Sequence, residues 1–76
     1  MNYDIEKQIG LNIRNLRIKA GLTQEMLSAQ LQTEGCDITR SALAKIEVGQ
    51  RHIYPDELIV FKKLLNTSYE NILKVD

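Results

Sequence analysis

Between Thr23 and Glu47 the stretch TQEMLSAQLQTEGCDITRSALAKIE sets out two short helical patterns, each opened by a threonine, with a glycine between them. Thr23 caps the first, because its side-chain oxygen accepts a bond from a backbone N–H that the helix leaves unpaired. Leu27 and Leu31 then recur at the spacing of one helix face, and Gly35 is placed to stop the helix. Thr39 caps the second, in which Leu43 and Ile46 share one face while Arg40, Ser41, Ala44 and Lys45 point elsewhere. The second helix is therefore amphipathic, with a short, partly basic outer face. The rest of the chain is expected to hold this pair in place.

Ahead of the pair, Ile9, Ile13, Leu16 and Ala20 form one apolar stripe of helical period, which predicts a first helix beginning between Asp4 and Gly10 and ended by Gly21. Gly10 weakens that expectation, since glycine inside a helix costs ~1 kcal/mol relative to alanine. Helix two is expected from Gln24 to about Thr33, and helix three from Arg40 to about Val48, closed by Gly49. A loop, GQRHIYP, follows. Pro55 suits the first position of helix four, where its missing N–H is harmless, and Asp56 and Glu57 suit the positive end of the helix dipole. Leu58, Phe61 and Leu65, helped by Leu64, are its buried stripe; Lys62 and Lys63 are expected to be solvated, and Asn66 ends the helix. Ser68 opens a last short helix with Tyr69, Ile72 and Leu73.

Seventy-six residues suit one domain with a small core. A dimer contact would supplement so small a core. No apolar run approaches the ~18 residues of a membrane-spanning helix, and MNYDIEKQ lacks a basic stretch followed by an apolar one, so a cytoplasmic protein with no membrane partner is expected. One cysteine, Cys36, makes no internal disulfide and is either a small apolar side chain or a free thiol. One Cys and one His at these positions assemble no structural metal site, and no cofactor motif is present. An enzyme is a poor reading, because His52 and Cys36 have no identifiable triad partners and no Gly-rich phosphate loop occurs. The net charge of zero weighs mildly against nucleic-acid binding, but residues 7 to 19 carry Lys7, Arg14, Arg17 and Lys19 with no acid.

The runs LRIKAGLTQEML, SALAKIEVGQR and LLNTSYENIL resemble, in that order, the Cro-like and XRE-like helix-turn-helix family of phage and bacterial transcriptional repressors. The resemblance covers roughly residues 9 to 73. It implies an all-α, compact five-helix, lambda-repressor-like DNA-binding domain over residues 1–76, with the motif at about residues 23–48. In such a domain the second helix of the pair enters the DNA major groove while the first crosses the backbone. LQTEGCDI departs from the common pattern: the turn between helices two and three is longer than usual by about five residues, which bears on the angle between them more than on the function. Ser28 stands where the family has alanine, a small residue suited to close helix approach.

The same resemblance nominates a structural pair, Arg17 with Glu47, as a clamp between helices one and three; two unrelated surface charges are the other possibility. Gln24, at the start of helix two, matches a glutamine that the family uses against the DNA backbone, where helix N-termini favour phosphate. The N-terminal end of a recognition helix enters the groove first, which nominates Thr39, Arg40 and Ser41, with Lys45 one turn further on. Arginine is the best single candidate for base readout, since its fork bonds bidentately to guanine O6 and N7, and Ala44 suits a thymine methyl. Gln50, Arg51 and His52 fall where relatives contact the sugar-phosphate backbone. For Arg40 and Lys45 a merely solvated helix face is the bland reading. Tyr54 is left open between a phosphate contact and the core.

Double-stranded DNA is thus the expected partner, read by a homodimer that represses transcription, with the fifth helix as the family's usual dimer surface and core completion as its other use. A protein-interaction module, for instance an adaptor to a toxin or another protein partner, is the second reading.

Overall fold

The computed structural model describes residues 2–75, which form five helices: α1 (Tyr3–Lys19), α2 (Gln24–Thr33), α3 (Arg40–Glu47), α4 (Pro55–Leu64) and α5 (Tyr69–Leu73). The expected all-α five-helix architecture is the observed one.

Helix α1 starts one residue before the expected window because Asn2 caps it, its Oδ1 accepting from the Asp4 and Ile5 amides at 3.1 and 3.2 Å. Its apolar stripe is shorter than the spacing predicts. Ile13 is fully buried and Ile9 and Leu16 are half-buried, but Ala20 is exposed. The physical reason is the helix end: Ala20 is the C-cap, and the chain turns away through Gly21 at φ +76°, so this side chain is carried clear of the core.

The threonine caps that define the central pair are both made. Thr23 Oγ1 accepts from the Met26 amide at 3.0 Å and Thr39 Oγ1 from the Ala42 amide at 3.2 Å. Helix α3 stops at Glu47, one residue short of expectation, with Val48 as its cap. The lengthened connection, residues 34–39, folds inward rather than looping out. After Gly35, at φ +86°, the Cys36 amide donates to Leu31 O at 2.9 Å, and both Cys36 and Ile38 enter the core. Ser28 is small for a reason beyond close approach: its buried hydroxyl donates to Ile38 O at 2.8 Å and pins the connection to α2. Burial pushes the Cys36 thiol above its ordinary pKa, so it stays a neutral core side chain.

Helix α4 ends where Asn66 adopts a left-handed φ of +50°, a conformation asparagine tolerates. Phe61 and Leu65 are buried, and Ile72 of α5 closes the core beneath them with no exposed surface. Asn12 Nδ2 donates to Ile72 O at 2.9 Å and Lys74 O at 2.8 Å, which ties the end of α5 to α1. The two lysines of α4 are less free than expected. Lys63 pairs with Glu34 in the long connection, and the Lys62 ammonium lies 5.3 Å above the Tyr69 ring. The core is continuous: Ile13, Leu27, Leu31, Ile38, Leu43, Ile46, Phe61 and Ile72 are essentially inaccessible. Helix α1 packs on α3 and α5, and α2 on α3 and α4.

Candidate nucleic-acid interface

One carboxylate ties three elements together behind α3. Glu47 Oε2 accepts from Arg17 Nε at 2.7 Å and its Oε1 from Arg17 Nη2 at 3.1 Å, a two-pronged pair with side chains 10% and 2% exposed. Arg17 Nη1 donates to Leu22 O at 2.8 Å, in the connection between α1 and α2. Gln24 Nε2 donates to Glu47 Oε1 at 3.0 Å. The first residue of α2, the last of α3 and the final turn of α1 therefore meet at a single hydrogen-bonded point, which fixes the attitude of α3 on the scaffold. Buried charges persist when paired and bonded in this way.

Helix α3 divides cleanly. Leu43, Ile46 and Glu47 are buried, whereas Arg40, Ser41 and Lys45 are exposed and Ala44 is half-buried on the outer side. Thr39 is exposed at the cap. Thr39, Arg40, Ser41, Ala44 and Lys45 thus lie together at or near the outer face of one helix, and the Arg40 and Lys45 side chains make no ion pair among the described residues.

Of the other nominated residues, Gln24 and Arg51 hold partners that the sequence does not suggest. Gln24 is half-buried with its amide on Glu47, so its side chain is committed to the clamp; the family pattern points to DNA and carries no sign of that bond. Arg51 Nη1 and Nη2 bond both oxygens of Glu57 at 3.0 and 2.9 Å, Nη1 also donates to His52 O at 2.7 Å, and the guanidinium lies 5.8 Å from the Tyr54 ring centroid. The cation of the loop is therefore neutralised by a carboxylate on α4. That Arg51 hydrogen bond holds the Glu57 carboxyl below its usual range, helped by the Tyr54 amide that donates to it at 3.0 Å. The place of Glu57, three residues after the N-cap Tyr54, is a readable signal for its bond to the Tyr54 amide but not for its pair with Arg51. His52 Nδ1 lies 2.9 Å from Glu6 Oε1, which brings the loop against the start of α1. Gln50 is exposed. Tyr54 is exposed too and does not enter the core.

Short helices α2 and α3 crossed at a fixed angle on a three-helix scaffold, with the outer face of the second left open, define a small helix-turn-helix domain. A family model described as helix-turn-helix matches residues 13–72, and the chain belongs to that family, of the Cro and XRE type, whose members are DNA-binding transcription regulators. In fold the chain is similar to the crystal structure of the DNA-binding domain of BldD, with a TM-score of 0.81 over 97% of this chain and 100% of that one at 18% identity. Among curated proteins none matches the sequence. No helix of the described residues is long and apolar enough to cross a membrane.

Proposed function

We propose that the protein is a sequence-specific reader of double-stranded DNA that represses transcription from an operator as a homodimer, in the cytoplasm. The observation that carries this reading is the outer face of α3, where Arg40 and Lys45 make no ion pair among the described residues and stand beside Thr39, Ser41 and Ala44 while the opposite face is packed on the core. Arg40, at the first position of α3, is assigned to guanine, Ala44 to a thymine methyl, and Thr39, Ser41 and Lys45 to bases or phosphates. Gln24 is assigned to the backbone through the N-terminus of α2, where helix amides and dipole favour an anion. Gln50, Arg51 and His52 are assigned to the phosphates flanking the groove, with Arg51 acting from its pair with Glu57. The similar fold of BldD is that of a DNA-binding domain, which supports the same use here. For the dimer, Tyr69, Leu73 and Val75 remain 39–45% exposed and line one open groove at the end of the chain, while Ile72 beside them is spent on the core.

The net charge of zero favours a second reading, a protein-interaction module of the same fold with a toxin or other protein as partner. Selection from a pool of random duplexes, read by fluorescence anisotropy and repeated with Arg40→Ala, separates the two. Enrichment of a two-fold symmetric motif that Arg40→Ala weakens is the expected result. Failure to enrich any motif overturns it in favour of the interaction module.

A further inference from the structure

An open groove of about 440 Å³ runs between α1, from Asp4 to Arg14, and the C-terminal end of α3, lined by Lys7, Leu11 and Arg14 on one side and Val48 on the other, with Asp4 and Glu47 also at its wall. Its charge is unbalanced. Lys7 and Arg14 are exposed and make no ion pair among the described residues, whereas Glu47 is already satisfied by Arg17 and Gln24. Asp4 sits in the first turn of α1, where the helix dipole partly offsets it.

The spacing is that of a single stripe. Lys7, Leu11 and Arg14 follow the i, i+4, i+7 pattern of one helix face, so two cations lie about 10 Å apart along the axis with an apolar side chain between them. Leu11 and Val48 are 42% and 52% exposed, which leaves the apolar part of the groove uncovered. A nucleic-acid strand has the matching sequence of surfaces: charged phosphates separated by less polar sugars. The groove is also continuous with the face of α3 described above, because Val48 lies one turn beyond Ala44 and Lys45.

We propose that this groove grips the sugar-phosphate backbone of one DNA strand, Lys7 and Arg14 each binding a phosphate while Leu11 and Val48 pack against the sugars between them. This rests on the proposal above that α3 enters a DNA groove. The contact reads no sequence; it adds affinity and salt dependence and fixes the register of α3 on the duplex.

The test compares Lys7→Gln/Arg14→Gln with Lys19→Gln, which removes a cation of α1 that does not line this groove, and with Arg40→Ala. Binding to the enriched duplex and to a scrambled one is measured over a range of salt, after circular dichroism has established equal helix content and melting. The double variant is expected to lose affinity for both duplexes by the same factor, with the slope of log K against log salt shallower by about 1.8, or ~0.9 per lost phosphate contact. Lys19→Gln is expected to leave that slope unchanged. An unaltered slope in the double variant, or an equal change per charge in Lys19→Gln, overturns the backbone grip; if Arg40→Ala still abolishes duplex preference, DNA reading by α3 stands without it. A parent protein that binds no duplex overturns both.

Discussion

A β-carbon at Gly10 would lie 2.2 Å from the carbonyl oxygen of Ile46, and 2.9 Å from that of Glu47. Backbone of α1 therefore rests directly on backbone at the last turn of α3. A second glycine makes the reciprocal approach: a β-carbon at Gly49, which holds φ +78°, would lie 2.7 Å from Lys7 Cα. The two glycines, one on each side, let α1 seat against the end of α3 with no side chain between them, close to the clamp of Arg17 and Glu47.

Gly10→Ala tests this seating. Alanine is intrinsically better in a helix by ~1 kcal/mol, so an unconstrained site would gain stability. Here the new methyl meets a carbonyl that cannot rotate away, and overpacking of this kind costs about 1–3 kcal/mol. A lowered urea midpoint with an unchanged slope is expected. A midpoint equal to or above that of the parent would show that α1 and α3 are free to separate.

Arg17→Ala is expected to destabilise by about 3–5 kcal/mol, because it leaves Glu47 buried without its partner. Arg17→Met/Glu47→Leu is expected to recover most of that loss, since removing both charges leaves none stranded. Melting followed by circular dichroism distinguishes the two. A single variant that melts with the parent would mean that water already satisfies the carboxylate.

Fold and site differ in how far the sequence reveals them, and particular residues show why. The caps Thr23, Thr39 and Ser68, the stop at Gly21 and the stripe Leu58, Phe61, Leu65 are local signals, set by neighbours within a turn or two, and the helices fall within a residue or so of where those signals put them. What local pattern leaves out is contact at long sequence separation. Gly10 reads as a weakness in α1 until Ile46 is seen against it. Ser28 reads as a small spacer until Ile38 O is found on its hydroxyl. At the candidate surface, residue type identifies which side chains carry charge but not which charges are spent: Arg40 and Lys45 are open, whereas Arg51 is paired across the loop to Glu57. Gln24 is the same case, its amide held by a residue 23 positions away.

The pair of Arg51 and Glu57 gives stability a pH dependence on the acid side. Glu57 is buried, and its bond from Arg51 lowers its pKa in the folded state below the 4.5 of the free carboxyl. A depressed carboxylate contributes fully above the unfolded value, and the contribution is lost as pH falls through the folded one. Glu57→Gln is therefore expected to melt below the parent at neutral pH, with the difference narrowing as pH drops from about 4.5 downward. A gap of constant size across that window would place the acid sensitivity elsewhere.

Arg40 and Arg51, both nominated for DNA, are expected to behave oppositely when removed. Arg40 is exposed and holds nothing in the fold, so Arg40→Ala should change stability by less than ~0.5 kcal/mol. If it reads a base, its loss should cost about 1–3 kcal/mol on the preferred duplex and relax choice at one position, with little change on a scrambled one. Arg51 is tied to Glu57, His52 O and Tyr54 between α3 and α4. Arg51→Ala should lower the melting temperature by stranding Glu57, and weaken both duplexes alike through the loosened loop. Glu57→Gln then separates the two roles of Arg51, because it releases the guanidinium without removing it. A released Arg51 should steepen the salt dependence of binding by up to ~0.9 in slope if a phosphate lies within reach. Affinity and slope that stay at the parent values in both Glu57→Gln and Arg51→Ala would assign Arg51 to the fold alone and leave the reading of DNA to α3.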